Sequence, residues 1–164
     1  MKLNRTVVAM LAIVLLAVCS RSVNSEQLQQ RDGLIYKVNS PDPYTGKVEN
    51  FYKNGQKQFE TSYVGGKEHG KRAAWYETGQ KILEKNYVDG KQHGKQEEWY
   101  KSGQKWSEKN YVDGQEHGKY SRWYENGQKM LEEHYIVGKL HGKRIVWTEN
   151  GKVLADIDYV DGVQ

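Results

Sequence analysis

The chain has 164 residues, a formal charge of +4 from 25 Lys and Arg against 21 Asp and Glu, and only 37% hydrophobic residues, which is too few for a large compact core. Its 12% aromatic content argues against disorder, and 17 Gly beside 2 Pro exclude a collagen-like or Pro-rich chain. A single Cys excludes an intramolecular disulfide framework and a Cys-based zinc cage.

Residues 1–25 read as an address and not as part of the fold. Lys2 and Arg5 form a short positive region, followed by 12 uninterrupted apolar residues from Val7 to Val18. That run falls short of the roughly 20 residues needed to span a bilayer and fits a secretory signal. Two processing sites stay open. Ordinary cleavage fits Ala17-Val18-Cys19 or Val23-Asn24-Ser25, whereas Leu16-Ala17-Val18-Cys19 resembles a bacterial lipobox that would make Cys19 a lipidated N-terminus. Val18 departs from that pattern, in which a smaller residue usually precedes the Cys. Residues 1–25 carry Lys2, Arg5 and Arg21 and no acid, so their removal takes the charge from +4 to +1. The mature chain then lacks the basic stripe that nucleic-acid binding requires, and no nucleic-acid partner is expected.

Residues 26–43 form a leader in which 34–38 has the composition of one capping strand, set apart by Pro41 and Pro43. From residue 44 to 164 the chain repeats every 24 residues. Glycines recur at Gly46, Gly70, Gly94, Gly118 and Gly142, at Gly55, Gly79, Gly103, Gly127 and Gly151, and at Gly66, Gly90, Gly114, Gly138 and Gly162. Phe51, Trp75, Trp99, Trp123 and Trp147 keep the same step, as do Tyr63, Tyr87, Tyr111, Tyr135 and Tyr159. Such self-similarity marks a repeat architecture of five units, the last one residue short.

Each unit reads as a β-hairpin. Adjacent aromatics such as Trp99 and Tyr100 must point to opposite faces of a strand. Asn54-Gly55, Asn126-Gly127 and Asn150-Gly151 predict type I′ turns with positive φ at both central residues. A second, longer reversal is expected from about Asp89 to Gly94 and its equivalents. The predicted fold is all-β: a single-layer antiparallel meander of ten strands, elongated and curled, about 48 Å across at 4.8 Å per strand. The array contains no Pro that would interrupt the ladders. Unit five departs from the pattern at Thr148, Val153 and Asp156, as a terminal cap does.

The pattern Y-x-x-G-K-x-H-G followed by W-Y-x-N-G-Q-K-x-x-E resembles the MORN-repeat variant family over about 119 residues of the array. The leader from Arg31-Asp32-Gly33-Leu34 to Tyr44-Thr45-Gly46 also resembles the segment preceding such arrays in bacterial members. The resemblance implies a scaffold engaging proteins or membranes. Bacterial relatives are often named antitoxins, which implies a toxin as partner.

Catalytic patterns are absent from the sequence. Histidines His69, His93, His117 and His141 lie one repeat, about 10 Å, apart and cannot share one metal ion. Glu60, Glu84, Glu108 and Glu132 share one environment, which opposes distinct acid and base roles. No cofactor is expected, and the chain is read as a non-enzyme. Aromatic residues anchor many interfaces. The candidate partner-binding residues are therefore the column Tyr52, Tyr76, Tyr100 and Tyr124 together with Trp106, whose equivalents Gln58, Ile82, Met130 and Leu154 are not aromatic. The expected function is a scaffold of the bacterial envelope, in the periplasm or at the outer membrane, that binds a protein. The alternative is a membrane-surface module tethered through Cys19.

Overall fold

A computed structural model describes residues 22–163. Residues 1–21, which hold most of the expected signal peptide and the candidate lipidation site Cys19, lie outside the described residues. A leader hairpin, β1 (Leu28–Arg31) and β2 (Leu34–Lys37), precedes the array. Each unit then contributes a six-residue strand and a longer one: β3 (Gly46–Phe51) and β4 (Lys57–Val64), β6 (Gly70–Trp75) and β7 (Lys81–Val88), β9 (Gly94–Trp99) and β10 (Lys105–Val112), β12 (Gly118–Trp123) and β13 (Lys129–Ile136), β15 (Gly142–Trp147) and β16 (Val153–Tyr159). Between units stand two-residue strands, β5 (Lys67–Glu68), β8 (Lys91–Gln92), β11 (Gln115–Glu116) and β14 (Lys139–Leu140). The ten longer array strands follow one antiparallel path from β3 to β16 in chain order, and the sheet does not close. The expected single-layer meander is thus the observed fold.

The register sets two of the periodic columns opposite each other. Gly46, Gly70, Gly94, Gly118 and Gly142 each stand directly opposite Tyr63, Tyr87, Tyr111, Tyr135 and Tyr159. A Cβ at Gly70, Gly94, Gly118 or Gly142 would meet nothing within 4 Å, so positive φ and not ring packing calls for glycine there. The glycines also bend the chain. Between β5 and β6, His69 donates its backbone N–H to the Ser62 carbonyl at 2.9 Å and Gly70 follows at φ +80°. Pairing resumes only at Ala73 opposite Glu60, so extra residues bulge from this side and the sheet bends at each repeat.

The turns differ from the sequence expectation. At Asn54-Gly55 only Gly55 has positive φ, +84°. Gly55 donates its N–H to the Tyr52 carbonyl at 2.9 Å, while Tyr52 donates to the Gln56 carbonyl at 2.8 Å. This is a type I turn closed by a glycine bulge and not a type I′ turn. The same form recurs at Thr78-Gly79 and Ser102-Gly103, where no Asn stands; the Asn54 side chain adds to it, its Oδ1 accepting from the Gln56 N–H at 2.9 Å and its Nδ2 reaching the Glu77 carbonyl of the next unit at 3.0 Å. The turns with two positive φ values lie at the other reversal, as at Asp89 (+50°) and Gly90 (+82°). That reversal is a tight distal turn followed by a short strand, not one long loop. Each distal turn hydrogen-bonds to the preceding unit, Gly90 to Glu68, Gly114 to Gln92, Gly138 to Glu116 and Gly162 to Leu140, every bond 2.8 Å long.

The leader also differs. The strand expected at 34–38 does not extend the array; it pairs with β1 through the Asp32-Gly33 turn, with φ of 49° and 77°, to make a separate hairpin. Asp-Gly is a strong hairpin signal in its own right. The open edge of β3 is met instead by Val23, which donates to the Lys47 carbonyl at 3.0 Å and accepts from the Glu49 N–H at 2.9 Å. Val23, Tyr44 and Val48 form a small buried cluster against which Leu28, Ile35 and Tyr63 pack. Val23 thus takes part in the described fold, although it lies within the residues 1–25 expected to be a signal peptide. At the far edge, β16 presents Asp156 and Asp158, charges that discourage edge-to-edge pairing.

The leader hairpin docks on the first distal turn. The Gly66 N–H donates to the Tyr44 carbonyl at 2.8 Å, and the Gly66 carbonyl accepts from Ile35 at 2.9 Å. A Cβ at Gly66 would stand 2.9 Å from both the Ile35 carbonyl oxygen and the Leu34 Cβ, at a φ of +79°. Gly66→Ala should therefore release the leader hairpin and destabilise the protein by about 1–3 kcal/mol. Amide hydrogen exchange would show protection lost in residues 28–37 before the later units.

Candidate functional site

Both faces of the sheet carry aromatic and charged columns. On one face each strand-ending Trp is covered by a Lys of the preceding unit. Lys57 lies 5.5 Å from the Trp75 ring centre, Lys81 5.2 Å from Trp99, Lys105 5.9 Å from Trp123 and Lys129 5.7 Å from Trp147. An ammonium over an indole is attracted by the ring's electron density. The same lysines hold the Glu column: Lys57–Glu60 at 2.6 Å, Lys81–Glu84 at 2.5 Å, Lys105–Glu108 at 2.6 Å, and Lys129–Glu132. A second lysine grips each acid from the neighbouring strand, Lys47 at 3.0 Å from Glu60 and Lys71 at 2.7 Å from Glu84.

This ladder answers an electrostatic problem set by the register. Glu49 stands directly across from Glu60, and Glu97 from Glu108. Like charges placed so would repel. Lys57 bridges the first pair at 2.8 and 2.6 Å, and Lys105 bridges the second at 2.6 Å to each acid. Burial alone would raise the Glu60, Glu84, Glu108 and Glu132 carboxyls, but the paired ammoniums outweigh it and hold each below its ordinary range. Glu49 is drawn down to about 2, chiefly by its bond from Lys57.

The opposite face is more varied. Lys109 reaches Glu116 at 2.5 Å and lies 4.4 Å from the Tyr120 ring centre. Tyr135 donates its hydroxyl to the buried Glu133 at 2.9 Å. Burial, then Glu133, raise the Tyr135 phenol far above its ordinary range. Arg72 bonds Glu68 at 2.9 Å and lies 5.1 Å from the Phe59 ring centre. Tyr135 belongs to the regular tyrosine column, whereas Arg72, Lys109 and Glu133 were not singled out in the sequence because their columns vary from unit to unit.

The candidate residues prove to have structural partners. Tyr52, Tyr76, Tyr100 and Tyr124 are all half-buried. Tyr52 donates its hydroxyl to the Trp75 carbonyl at 2.8 Å, Tyr100 to the Trp123 carbonyl at 2.9 Å, and Tyr124 to the Trp147 carbonyl at 2.9 Å. The column thus stitches one unit to the next while leaving part of each ring accessible. Trp106 occupies a register shift between Lys105 and Ser107, where it pairs with nothing across the strand. It packs at 6.5 Å and 62° against Tyr100, with the Arg122 guanidinium 5.0 Å from its ring centre. Trp106 therefore belongs to an aromatic–arginine cluster with Tyr100 and is not isolated. Among the repeat histidines, His69, His93 and His141 face the carboxylates of Asp89, Asp113 and Asp161 at 3.6, 3.7 and 3.8 Å. Among the described residues no three metal-ligating side chains gather.

Two predictions follow from this geometry. Tyr100→Phe removes one inter-unit hydrogen bond and should lower stability by about 0.5–1.5 kcal/mol in denaturant unfolding, leaving secondary structure unchanged. The paired carboxylates contribute stability that is fully present above their unfolded pKa, near 4.5, and lost as pH falls through their lowered folded values. The melting temperature should therefore fall steadily from pH 5 to about pH 2, with Glu49 protonating last. High salt at neutral pH should have a smaller effect, since these pairs are partly shielded from solvent.

Comparison with known proteins agrees with this architecture. The profile of the MORN repeat variant family matches residues 44–64, 92–113, 116–136 and 140–161, just over half of the chain. The unmatched stretch between the first two segments carries β6 and β7, which form the same hairpin as in the other units. No curated protein matches the chain. Among solved structures, a chain in the crystal structure of the GtfA/B complex bound to UDP and GlcNAc aligns at 14% identity, over 80% of this chain and 28% of that one. Its TM-score of 0.29 carries no argument about fold or activity. The chain belongs to the MORN repeat variant family, whose hairpin units build repeat scaffolds generally used for protein or membrane interactions.

Proposed function

We propose that the protein is an exported, non-enzymatic scaffold of the bacterial envelope that holds a protein partner on the open face of its sheet, in an antitoxin- or immunity-like role. The observation that carries this reading is the uncovered single layer: among the described residues, beyond the first unit where the leader meets Tyr63, no element packs over the aromatic and arginine columns of the array. Half-buried Tyr, Trp and Arg in rigid frames are the residue types that dominate interface energies. Tyr100, Trp106 and Arg122 form one such cluster, fixed by the Tyr100 hydroxyl bond to Trp123 and open on its outer side. The identity of the partner as a toxin rests on family resemblance alone.

Export is supported by the apolar run of residues 7–18. The place of Val23 in the fold bears on the cleavage site. Removal of residues 1–25 would take away both the edge bonds to Lys47 and Glu49 and a member of the buried cluster. Processing next to Cys19 or Ser20 keeps them. A lipid on Cys19 would favour the second reading, a tethered membrane-surface module, because four residues span at most about 14 Å and the first unit would then sit close to the bilayer.

The intact mass of the protein recovered from a bacterial envelope fraction tests this reading. A chain beginning at Cys19 or Ser20 is expected, with acyl mass on Cys19 assigning the tether. A chain beginning at Glu26 would keep export and remove Val23 from the mature fold, whereas an unprocessed cytoplasmic chain would overturn the reading. Photo-crosslinking from position 106 should yield a protein-sized adduct in the envelope, and should yield none from the exposed turn position Lys53.

A further inference from the structure

The dipeptide Asn-Gly occurs three times in the array, at Asn54-Gly55, Asn126-Gly127 and Asn150-Gly151. A glycine has no side chain to shield its backbone nitrogen, so the amide of the preceding asparagine is open to attack from its own main chain. The three turns share one backbone. Gly55, Gly127 and Gly151 have φ of +84°, +84° and +83°, and each donates its N–H at 2.9 Å to the carbonyl three residues before it. All three asparagines are exposed. Neither backbone shape nor access to solvent separates them.

Their side chains are held differently. Asn54 and Asn126 are pinned at both ends of the amide. Oδ1 accepts from the Gln56 or Gln128 N–H at 2.9 Å, and Nδ2 donates to the Glu77 or Glu149 carbonyl of the following unit, at 3.0 and 3.1 Å. Unit five changes this, because Thr148 stands where the other units carry Tyr. The Thr148 hydroxyl accepts from the Lys152 N–H at 3.0 Å, and that is the donor which pins the asparagine in the other two turns. Its own proton serves either the Lys152 carbonyl at 3.1 Å or the Asn150 Oδ1. Among the described residues Asn150 Nδ2 makes no hydrogen bond. Asn150 is held at one end only, by a hydroxyl that can rotate with it.

We propose that Asn150 is a self-modification site, at which the folded chain deamidates far ahead of Asn54 and Asn126. To react, an asparagine must swing its Cγ over the following backbone nitrogen. Asn54 and Asn126 must first break both pins, whereas Asn150 keeps a donor on Oδ1 as negative charge develops there. The Gly151 nitrogen attacks Cγ and sheds its proton, the bond from Cγ to Nδ2 breaks, and ammonia leaves with that proton. Water then opens the cyclic imide at either carbonyl, with no change of oxidation state, and gives an aspartyl or isoaspartyl residue at position 150. The product places a new carboxylate beside Glu149. The isoaspartyl form also adds a backbone carbon to the turn between β15 and β16, so the last hairpin loosens as the protein ages. This site goes beyond the scaffold reading and does not rest on it.

The test is peptide mapping by mass spectrometry of the intact mature protein aged in mildly alkaline buffer, with isoaspartyl methyltransferase labelling to measure the isoaspartyl form. Position 150 should gain the mass of an amide-to-acid exchange about tenfold or more faster than positions 54 and 126, the cost of releasing the extra hydrogen bonds. In guanidinium the three positions should convert at similar rates, because the pins are gone. Thr148→Val frees the Lys152 N–H for Asn150 Oδ1 and should slow position 150 several-fold, in the folded protein only. Amide hydrogen exchange across Val153–Tyr159 should rise as the isoaspartyl form accumulates. Equal rates at the three positions of the folded protein would overturn the proposal. So would a preference for position 150 that persists in guanidinium, since neighbouring residues and not the fold would then set it.

Discussion

The hydrogen bond from each distal glycine to the unit before it, 2.8 Å long at Gly90, Gly114, Gly138 and Gly162, is the tie on which the array depends. A single-layer sheet has two surfaces and no interior, so apolar burial cannot supply its stability in the usual way. The buried residues show this directly, since polar Thr61, Gln96, Ser107, Ser121 and Glu133 are buried beside only a few apolar ones. Each unit is instead held by its neighbour, through this turn bond, through the tyrosine hydroxyl on the tryptophan carbonyl, and through the lysine over the tryptophan ring. Such nearest-neighbour coupling lets stability grow with unit number.

The same dependence explains the ends. The first unit has no unit before it, and the leader stands in. Tyr44 occupies the place that Glu68 takes one repeat later: its carbonyl accepts from Gly66 as the Glu68 carbonyl accepts from Gly90. Val23 meets the free edge of β3 and closes the small apolar cluster around Val48. At the far edge, Asp156 and Asp158 of β16 are exposed beside Lys143, and such charges guard an edge.

In the proposed reading, function and stability draw on the same side chains. A tyrosine that stitches two units cannot reorient to meet a partner, but it presents a rigid ring edge that costs little entropy to bind. The regular columns are therefore a frame, from which Trp106 in its bulge and Val137 in its turn depart on different parts of the surface.

Much of this was legible in the residues. The 24-residue period determined the number of units, the hairpin within each and the order of strands, because glycine and aromatic positions recur only where backbone shape and ring packing recur. The period did not decide which turn took which form. Asn54-Gly55 and Asp89-Gly90 are both I′ signals, yet only the second takes two positive φ values, and Thr78-Gly79 and Ser102-Gly103 share the form of the first. Nor did it decide that the tyrosine hydroxyls bond across units, that Glu49 and Glu60 stand face to face under one lysine, or that Val23 belongs to the fold. Each of these depends on contacts between residues brought together by sheet register. A sequence records a register's period, whereas only the assembled strands fix which atoms of neighbouring units meet.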